Sequence, residues 1–272
     1  VVQALLELIP RNPLDSAVKA FDGEMIALMF FAVFFGIALA RTQNAAANTV
    51  RVLEEIYDAC MRIVGAVIKL APLAVFALVF SSTFKFGHEL LVSLAYYVFV
   101  VVLGLLIQQF GVYSILLRLV ARVSPLDFLK KCREAHVYAF ATASSNATLP
   151  KSLDVAEHKL RLHPSVSRFV LTVGSTANQN GTALFEGVTV LFLAQVYGVD
   201  LSLGQQVTVV FMSILAGIGT AGIPGGSLPL IMILLQQVGI PPEGMGIVLG
   251  VDRFLDMCRT TVNVSGDLVI AA

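Results

Sequence analysis

The chain has 272 residues, of which 57% are hydrophobic and 13% are charged, and its mean hydropathy is +0.85. It carries about half the charge of an ordinary soluble domain, which excludes a typical cytosolic enzyme. The formal net charge of zero provides neither a basic footprint for nucleic acid nor an acidic tail. Three widely spaced cysteines, Cys60, Cys132 and Cys258, indicate neither a disulfide framework nor a zinc site. Because the chain begins at Val1 without a signal-peptide pattern, we expect it to be part of a longer protein.

Two helical segments are predicted in the first third of the chain. The apolar residues 25–40 approach the roughly 20 residues that a bilayer span requires. In residues 48–69, charged side chains interleave with apolar ones, which favours an amphipathic helix packed on other protein. We expect this second helix to continue through the apolar residues 73–80 and to end at Ser81-Ser82-Thr83.

The segment Leu90–Leu117 contains no charged residue and is the strongest predicted membrane span. A basic patch follows it, which by the positive-inside tendency belongs on the cytoplasmic side. The loops around Asp200 and Glu243 carry no Lys or Arg and are expected to face outward. The basic patch consists of Arg118, Arg122, Lys130, Lys131 and Arg133.

Two later segments each predict a pair of short helices that meet at a polar tip. The first consists of residues 128–142, a serine-rich tip at 143–150, and residues 151–162. The second consists of residues 203–221, a Gly/Pro-rich tip at 222–229, and residues 231–238. Paired, interrupted segments of this kind indicate an inverted-repeat transporter whose binding site lies near the middle of the membrane.

An apolar helix follows each hairpin, at residues 167–196 and 245–272. The first is broken at Asn178-Gln179-Asn180-Gly181-Thr182, where freed backbone carbonyls suit a dehydrated monovalent cation, although a simple kink would give the same pattern. The hairpin tips, at Ser144-Ser145-Asn146 and at 222–227, present main-chain amides at half-helix ends, which favour carboxylates. A Gly-Pro-Gly-Gly stretch by itself is commonly only a turn.

The last helix carries five polar residues at steps of 4, 3, 4 and 4, which places them within an arc of about 80°. A structural salt-bridge ladder would give this pattern, but charges inside a membrane more often line a substrate or ion path. Arg253 lies off this stripe, and structural and accessory cationic roles both remain open. The stripe consists of Asp252, Asp256, Arg259, Asn263 and Asp267.

Four motifs occur together with these elements. The sequence resembles the glutamate transporter homologues, the dicarboxylate/amino acid:cation symporters. The motifs are the serine-rich tip before Thr148-Leu149-Pro150, Asn178-Gln179-Asn180-Gly181-Thr182-Ala183-Leu184, the segment Gly219–Gly225, and the segment Asp256–Asp267.

The resemblance implies an all-α multi-pass membrane protein of the plasma membrane (the inner membrane of a bacterial cell), an elevator transporter with two inverted re-entrant helical hairpins and broken helices. It also implies a homotrimer. Residues 1–83 would then form part of the trimerisation scaffold, without three N-terminal helices of the family, and residues 84–272 the moving transport domain. The implied parts of that domain are a helix at 84–120, hairpin 1 at 125–162, a broken helix at 165–198, hairpin 2 at 201–239 and the last helix at 242–272.

The resemblance further implies substrate contacts. The guanidinium of Arg259 would bind the side-chain carboxylate of glutamate or aspartate, and Asp256 would bind the α-ammonium group. This agrees with the chemistry, because a guanidinium forks onto a carboxylate and an aspartate partners an amine. The implied substrate-binding residues are Ser144, Ser145, Thr182, Ile223, Gly226, Asp256, Arg259, Thr260 and Asn263.

Two sodium sites are implied in the same way. A third site of the family uses an aspartate where this chain has Asn180, so the number of coupled ions stays open. The chain also has Ala143 where some prokaryotic relatives have an arginine, and Gln179 in place of a methionine. The first implied site comprises carbonyls of Gly174, Asn178 and Asn263 with the Asp267 carboxylate, and the second comprises Thr176 with the backbone of Gly217, Ile218 and Thr220.

The implied function is sodium-coupled symport of acidic amino acids, which is not an enzymatic activity. The open alternatives are a dicarboxylate or neutral amino acid transporter or exchanger of the same fold, with protons as a further coupling ion. An intramembrane aspartyl protease is disfavoured, since Asp252 and Asp267 lie about four turns apart on one helix. The expected partners are an acidic amino acid, the lipid bilayer and further copies of the chain, but no nucleic acid.

Overall fold

The computed structural model describes residues 10, 12–19, 25–42, 47–68, 73, 80, 84, 89–220 and 222–272. All regular structure in these ranges is helical, which confirms the predicted all-α class. The chain divides into two compact units, residues 1–78 and 79–272. Most of the predicted continuation at 73–80, and its end at Ser81-Ser82-Thr83, lie outside the described residues.

Among its described residues, the first unit contains a short helix and two longer helices in the segments where the sequence predicts them. The side chain of Asn12 accepts a hydrogen bond from the Leu14 amide at 3.0 Å and so caps the short helix. The predicted apolar and amphipathic helices are both confirmed, with ends shifted by one or two residues. The three helices are α1 (Pro13–Val18), α2 (Met25–Thr42) and α3 (Ala47–Ile68).

The second unit begins with α4 (Glu89–Leu106), whose helical path continues to Ala121 and includes two π-helical stretches, Ile107–Val112 and Leu117–Ala121. Its segment Leu91–Ala121 is the one helix in the described part of the chain that is long and apolar enough to cross a membrane. Only 22% of its apolar window is buried by protein, so most of this surface is free to contact lipid.

The first predicted hairpin consists of α5 (Pro125–Thr142) and α6 (Ser145–Asp154). Ala143 adopts a left-handed conformation with φ of 51°, which reverses the chain between the two helices. The Ser144 hydroxyl then accepts a hydrogen bond from the Ala147 amide at 3.1 Å. Because this cap lies at the start of the expected tip, α6 begins at Ser145 rather than at Lys151, and most of the expected tip is helical.

The predicted broken helix consists of α7 (Pro164–Ala177) and α8 (Asn180–Val196). Its non-helical part is shorter than the sequence suggests, because only Asn178 and Gln179 leave the helical conformation. The Oδ1 atom of Asn263 accepts a hydrogen bond from the Gly181 amide at 2.7 Å and so caps the start of α8. A side chain from a distant helix therefore fixes where α8 begins.

The second predicted hairpin consists of α9 (Leu203–Gly219) and α10 (Leu228–Gln237). Ser202 and Gln205 form a capping box at the start of α9. At the tip, Gly225 has φ of 71°, a conformation that glycine adopts at little cost.

The last helix, α11 (Met245–Ala271), lies at the centre of the second unit and contacts α4, α5, α7 and α8. The tips of the two hairpins meet beside it, since the Asn146 amide donates to the Gly222 carbonyl at 3.1 Å. The Ser144 hydroxyl donates to the same carbonyl at 2.7 Å. The polar face of α11 is thereby enclosed between the hairpin tips and the helix break.

Candidate functional site

The polar stripe of α11 is buried throughout, as its alignment on one helix face predicts. Arg259 is only 2% exposed, and its guanidinium lies 2.9 Å from Asp252 Oδ1 and 3.1 Å from Asp256 Oδ1. The guanidinium carbon also lies 4.0 Å from the centre of the Phe185 ring, a cation–π contact. Two carboxylates and one aromatic ring therefore hold this cation in place.

The guanidinium faces a small polar cavity between the two hairpin tips and the break between α7 and α8. The cavity has room for about one water molecule, ≈ 10 Å³. Seven of the nine predicted substrate-binding residues line it: Ser145, Thr182, Ile223, Gly226, Asp256, Arg259 and Thr260.

The other two predicted substrate residues, Ser144 and Asn263, do not line the cavity but form hydrogen bonds to residues that do. Ser144 donates to the Gly222 carbonyl of the opposite tip, as described above. The Nδ2 atom of Asn263 donates to the Thr182 hydroxyl at 3.0 Å. In the described structure, both residues therefore hold the wall together.

Asp256 connects the ionic stripe to the second hairpin. Its Oδ2 atom accepts a hydrogen bond from the Gly225 amide at 3.0 Å, while its Oδ1 atom faces Arg259. The hairpin tip is thus attached to the carboxylate for which the sequence predicts contact with an ammonium group.

Gln179 is a cavity residue that the sequence analysis did not place in the substrate site. Its Oε1 atom accepts hydrogen bonds from Asn263 and from the Thr182 hydroxyl, and its Nε2 atom donates to the Ser175 carbonyl at 3.2 Å. The signal in the sequence was its position in the helix break, where a methionine is usual.

Three of the four residues predicted for the first sodium site meet behind this cavity. The Nδ2 atom of Asn178 donates to Asp267 Oδ1 at 2.7 Å. A Cβ atom at Gly174 would lie 2.4 Å from the same oxygen, so the carboxylate reaches the backbone of α7 only because residue 174 is a glycine. Carboxylate and carbonyl oxygens at a helix break are the ligands that transporters offer to sodium, and the Asp267 carboxylate at this break is a ligand of that kind, so the site stays a prediction.

A sequence profile of the sodium:dicarboxylate symporter family matches residues 1–272, the full chain. The chain belongs to this family. A proton/sodium-glutamate symport protein of Bacillus subtilis is 32% identical over 271 residues, which cover 100% of this chain and 62% of that protein. A proton/glutamate-aspartate symporter of Escherichia coli is 33% identical, and the match covers 100% of this chain and 62% of that protein. Excitatory amino acid transporter 4 of Mus musculus is 35% identical, and the match covers 91% of this chain and 44% of that protein.

The resemblance drawn from the four motifs is therefore confirmed, and the family is one of membrane transporters. The chain spans less than two thirds of the length of these symporters and transporters. In this member of the sodium:dicarboxylate symporter family, the buried Arg259 forms a charged cluster with its two carboxylate neighbours.

The residues predicted for the second sodium site have fewer mutual contacts than those predicted for the first. The Thr220 hydroxyl donates to the Ala216 carbonyl at 3.0 Å and to Glu186 Oε1 at 3.3 Å. The Thr176 hydroxyl donates to the Val173 carbonyl of its own helix. Within the part of the chain that the structure describes, no hydrogen bond joins Thr176 to Gly217 or Thr220, and this site stays a prediction.

Glu186 is a further buried acidic residue, which the sequence analysis left without a role. It is 0% exposed and lies on α8, one residue after the Phe185 ring that contacts Arg259. Its Oε1 atom accepts the Thr220 hydrogen bond, and its Oε2 atom has no hydrogen-bond partner among the described residues. The second unit thus holds a carboxyl group in its interior, in contact with the end of α9 at the second hairpin.

Proposed function

We propose that the whole protein is a secondary active symporter that imports glutamate or aspartate together with sodium ions. The observation that carries this proposal is the buried Arg259, held by two carboxylates at a cavity between two hairpin tips. A guanidinium in such a site binds a carboxylate through parallel hydrogen bonds, and the adjacent Asp256 supplies an acceptor for an ammonium group. The names of the bacterial and mammalian relatives support the same substrate class.

Binding of substrate is expected to act on hairpin 2 through Asp256. The carboxylate bonds the Gly225 amide at the tip and would also contact the substrate ammonium group. A ligand in the cavity is therefore in contact with both the last helix and the tip. Closure of the tip is favoured when the ligand binds the closed form more tightly than the open form.

Sodium is expected to be coupled to the substrate through the helix break. Asn178 contacts the Asp267 carboxylate of the predicted ion site, and the next residue, Gln179, lines the cavity. Ordering of this short segment by an ion would also order the cavity wall, which gives a favourable coupling free energy between the two ligands.

The larger architecture belongs to the same proposal. Residues 1–83 would be part of a trimerisation scaffold and residues 84–272 the transport domain of an elevator, with the two hairpins as gates. The protein would be a homotrimer that crosses the plasma membrane several times. The exposed apolar surface of α4 and the meeting of the hairpin tips support this arrangement.

Protons are a second candidate for the coupling ion. Glu186 supports this, because a carboxyl group buried without a cation in contact is costly in its ionised form. Its contact with Thr220 would link its protonation to the second hairpin. The name of the Bacillus subtilis relative includes both protons and sodium, and the name of the Escherichia coli relative includes protons.

Uptake of radiolabelled aspartate and glutamate into proteoliposomes, under imposed sodium, proton and potassium gradients, tests the proposal. Removal of one partner from a buried ion pair costs roughly 3–5 kcal/mol, so Arg259→Ala is expected to weaken substrate binding by about two to three decades or more and to abolish uptake. Arg253→Ala is the matched control, because Arg253 is a neighbouring arginine on the same helix whose side chain is exposed.

Near-normal uptake by Arg259→Ala would refute the assignment of this residue to the substrate. Wild-type uptake that persists without any ion gradient would instead favour an exchanger or a channel. Loss of uptake in both arginine variants would indicate a general requirement for positive charge on α11.

A further inference from the structure

Hairpin 1 contains a groove that is separate from the cavity at Arg259 and shares no lining residue with it. It lies between α5 and the second arm of the hairpin, and its volume is about 690 Å³. Four basic side chains and one carboxylate line its charged part: Lys130, Arg133, Lys151, Lys159 and Glu134. This part of the groove therefore carries an excess of positive charge.

Glu134 fixes the positions of two of these cations. Lys151 Nζ lies 2.8 Å from Glu134 Oε2 and 2.9 Å from Asp154 Oδ2, and Lys159 pairs with the other oxygen of Glu134. Both ammonium groups are consequently held at the groove before any ligand arrives.

The other two cations, Lys130 and Arg133, form no salt bridge with the described residues. Lys130 lies three residues before Arg133 and four before Glu134, spacings that place it beside both of them on α5. The positive charge of Lys130 and Arg133 is thus available to an anion in the groove.

The character of the groove changes along α5. Beyond the charged part, in the direction of the hairpin tip, it is lined by Val137, Tyr138 and Ala141. Val137 is 61% exposed and Tyr138 is 46% exposed, whereas Ala135 and Ala139 on the opposite face are buried. From residue 130 to residue 141 the helix rises about 16 Å. Positive charge followed by an apolar wall over this length matches a phosphate headgroup joined to an acyl chain.

We propose that this groove of hairpin 1 binds an anionic phospholipid, with its headgroup phosphate at Lys130 and Arg133 and an acyl chain along Val137 and Tyr138. The cytoplasmic leaflet is where anionic lipids meet clusters of Lys and Arg beside membrane segments. A soluble phosphate would use the charged part of the groove and leave the apolar part without a ligand. The lipid would bind one arm of a hairpin whose tip closes the substrate cavity.

Native mass spectrometry of the purified full chain in detergent tests this proposal by following lipid adducts during titration. The probes are phosphatidylglycerol, phosphatidylcholine and inorganic phosphate. Phosphatidylglycerol is expected to bind tightest to the wild type. In the double variant Lys130→Ala/Arg133→Ala, its affinity is expected to fall roughly tenfold or more, because each basic residue contributes on the order of 1 kcal/mol.

The matched control is Arg122→Ala/Lys131→Ala, which removes two positive charges from the same basic patch. Lys131 follows Lys130 in the sequence but lines a different cavity, with Asp127 and Phe128. This control is expected to bind phosphatidylglycerol within about twofold of the wild type. Equal weakening in the two double variants would overturn the proposal, since it would show only the effect of surface charge.

Glu134→Gln provides a test by gain of binding, which a folding defect cannot mimic. Removal of this negative charge leaves Lys151 paired with Asp154 and frees the charge that Lys151 and Lys159 share with Glu134, so the binding of phosphatidylglycerol is expected to strengthen about threefold or more. Unchanged or weaker binding would contradict the proposal. Inorganic phosphate that displaces phosphatidylglycerol at equal concentration, or phosphatidylcholine that binds equally well, would also overturn the assignment to an anionic lipid.

Discussion

At the residue scale, Arg259 is the side chain on which the polar site depends. It is nearly inaccessible to solvent and has two carboxylates within 3.1 Å. This cluster of one cation and two anions carries one net negative charge. Under the proposed function, an amino acid substrate would bring an ammonium group that compensates this charge and carboxylates that use the remaining guanidinium donors. Asp252 has one neighbour in this cluster, whereas Asp256 also contacts hairpin 2 and lines the cavity.

The two carboxylates are expected to differ in their effect on substrate choice. Asp256→Asn keeps an acceptor for the Gly225 amide but removes the charge that would pair with an ammonium group. It is therefore expected to weaken the binding of aspartate and glutamate at least tenfold more than the binding of succinate, which has no amine. Competition against radiolabelled aspartate in proteoliposomes measures this difference.

Asp252→Asn serves as the comparison, because Asp252 contacts Arg259 and does not line the cavity. It is expected to weaken the binding of aspartate, glutamate and succinate by similar factors. A loss of similar size for aspartate and succinate in Asp256→Asn would argue against an ammonium partner at Asp256.

The role of Glu186 leads to a prediction about pH. Gln at this position keeps an oxygen acceptor for the Thr220 hydroxyl but cannot bind or release a proton. If protons are coupled ions, Glu186→Gln is expected to flatten the dependence of uptake on the proton gradient, while the sodium dependence remains. Uptake measured with a fixed sodium gradient and a varied pH difference checks this. Glu243→Gln, at an exposed acidic residue, is the control, and an unchanged proton dependence in Glu186→Gln would contradict the role.

At the element scale, contacts from other elements set the ends of the short helices. Ser144 caps its own arm of hairpin 1 and also donates to the opposite tip. Asn263 caps α8 across 82 residues of sequence. The helix break is short, and its two residues have different surroundings. Asn178 contacts the Asp267 carboxylate, whereas Gln179 lines the cavity.

The close approach of α7 to Asp267 gives a prediction for sodium. Gly174→Ala would place a Cβ atom 2.4 Å from Asp267 Oδ1, so the carboxylate has to move. Overpacking of this kind typically costs about 1–3 kcal/mol, and we expect the sodium concentration for half-maximal uptake to rise about tenfold. The sodium dependence of aspartate uptake checks this.

Gly204→Ala is the control for this substitution, because a Cβ atom at this helical glycine would meet nothing within 4 Å. Its sodium dependence is expected to match the wild type. An unchanged sodium dependence in Gly174→Ala would remove Asp267 from the proposed ion site.

At the scale of the whole molecule, the distribution of charge predicts its topology in the membrane. Basic residues cluster just after the long apolar helix, whereas the loops around Asp200 and Glu243 contain none. The positive-inside tendency then places the two groups on opposite sides. The mostly exposed surface of Leu91–Ala121 supports contact with lipid between them.

Single cysteines in a background without the native ones test this topology. A cysteine at Arg122 is expected to react with a membrane-impermeant maleimide only after the cells are opened. Cysteines at Asp200 or Glu243 are expected to react on intact cells. Reaction of all three positions from the same side would refute the proposed orientation.

Much of the fold could be predicted from the sequence, because each helix carries its own periodicity, caps and breaks. The apolar segment 25–40, the uncharged segment after Leu90 and the second hairpin all appear as helices close to their predicted bounds, whereas the second arm of hairpin 1 begins six residues earlier than predicted. The stripe on α11 follows from spacing alone, and the four motifs led to the family that the comparison shows.

The partners of these faces were decided only by the tertiary structure. Spacing places Asp252, Asp256 and Arg259 on one face, but it does not say that both carboxylates pair with the guanidinium or that Phe185 lies beneath it. Nor does it reveal the burial of Glu186, because an isolated acidic residue in an apolar helix has no pattern of its own. Helix periodicity is a local property of the backbone, whereas side-chain contacts of the last helix join residues up to 149 positions apart. The sequence by itself therefore determined the helices, the polar stripe and the family of this protein, and packing decided which groups meet at its centre.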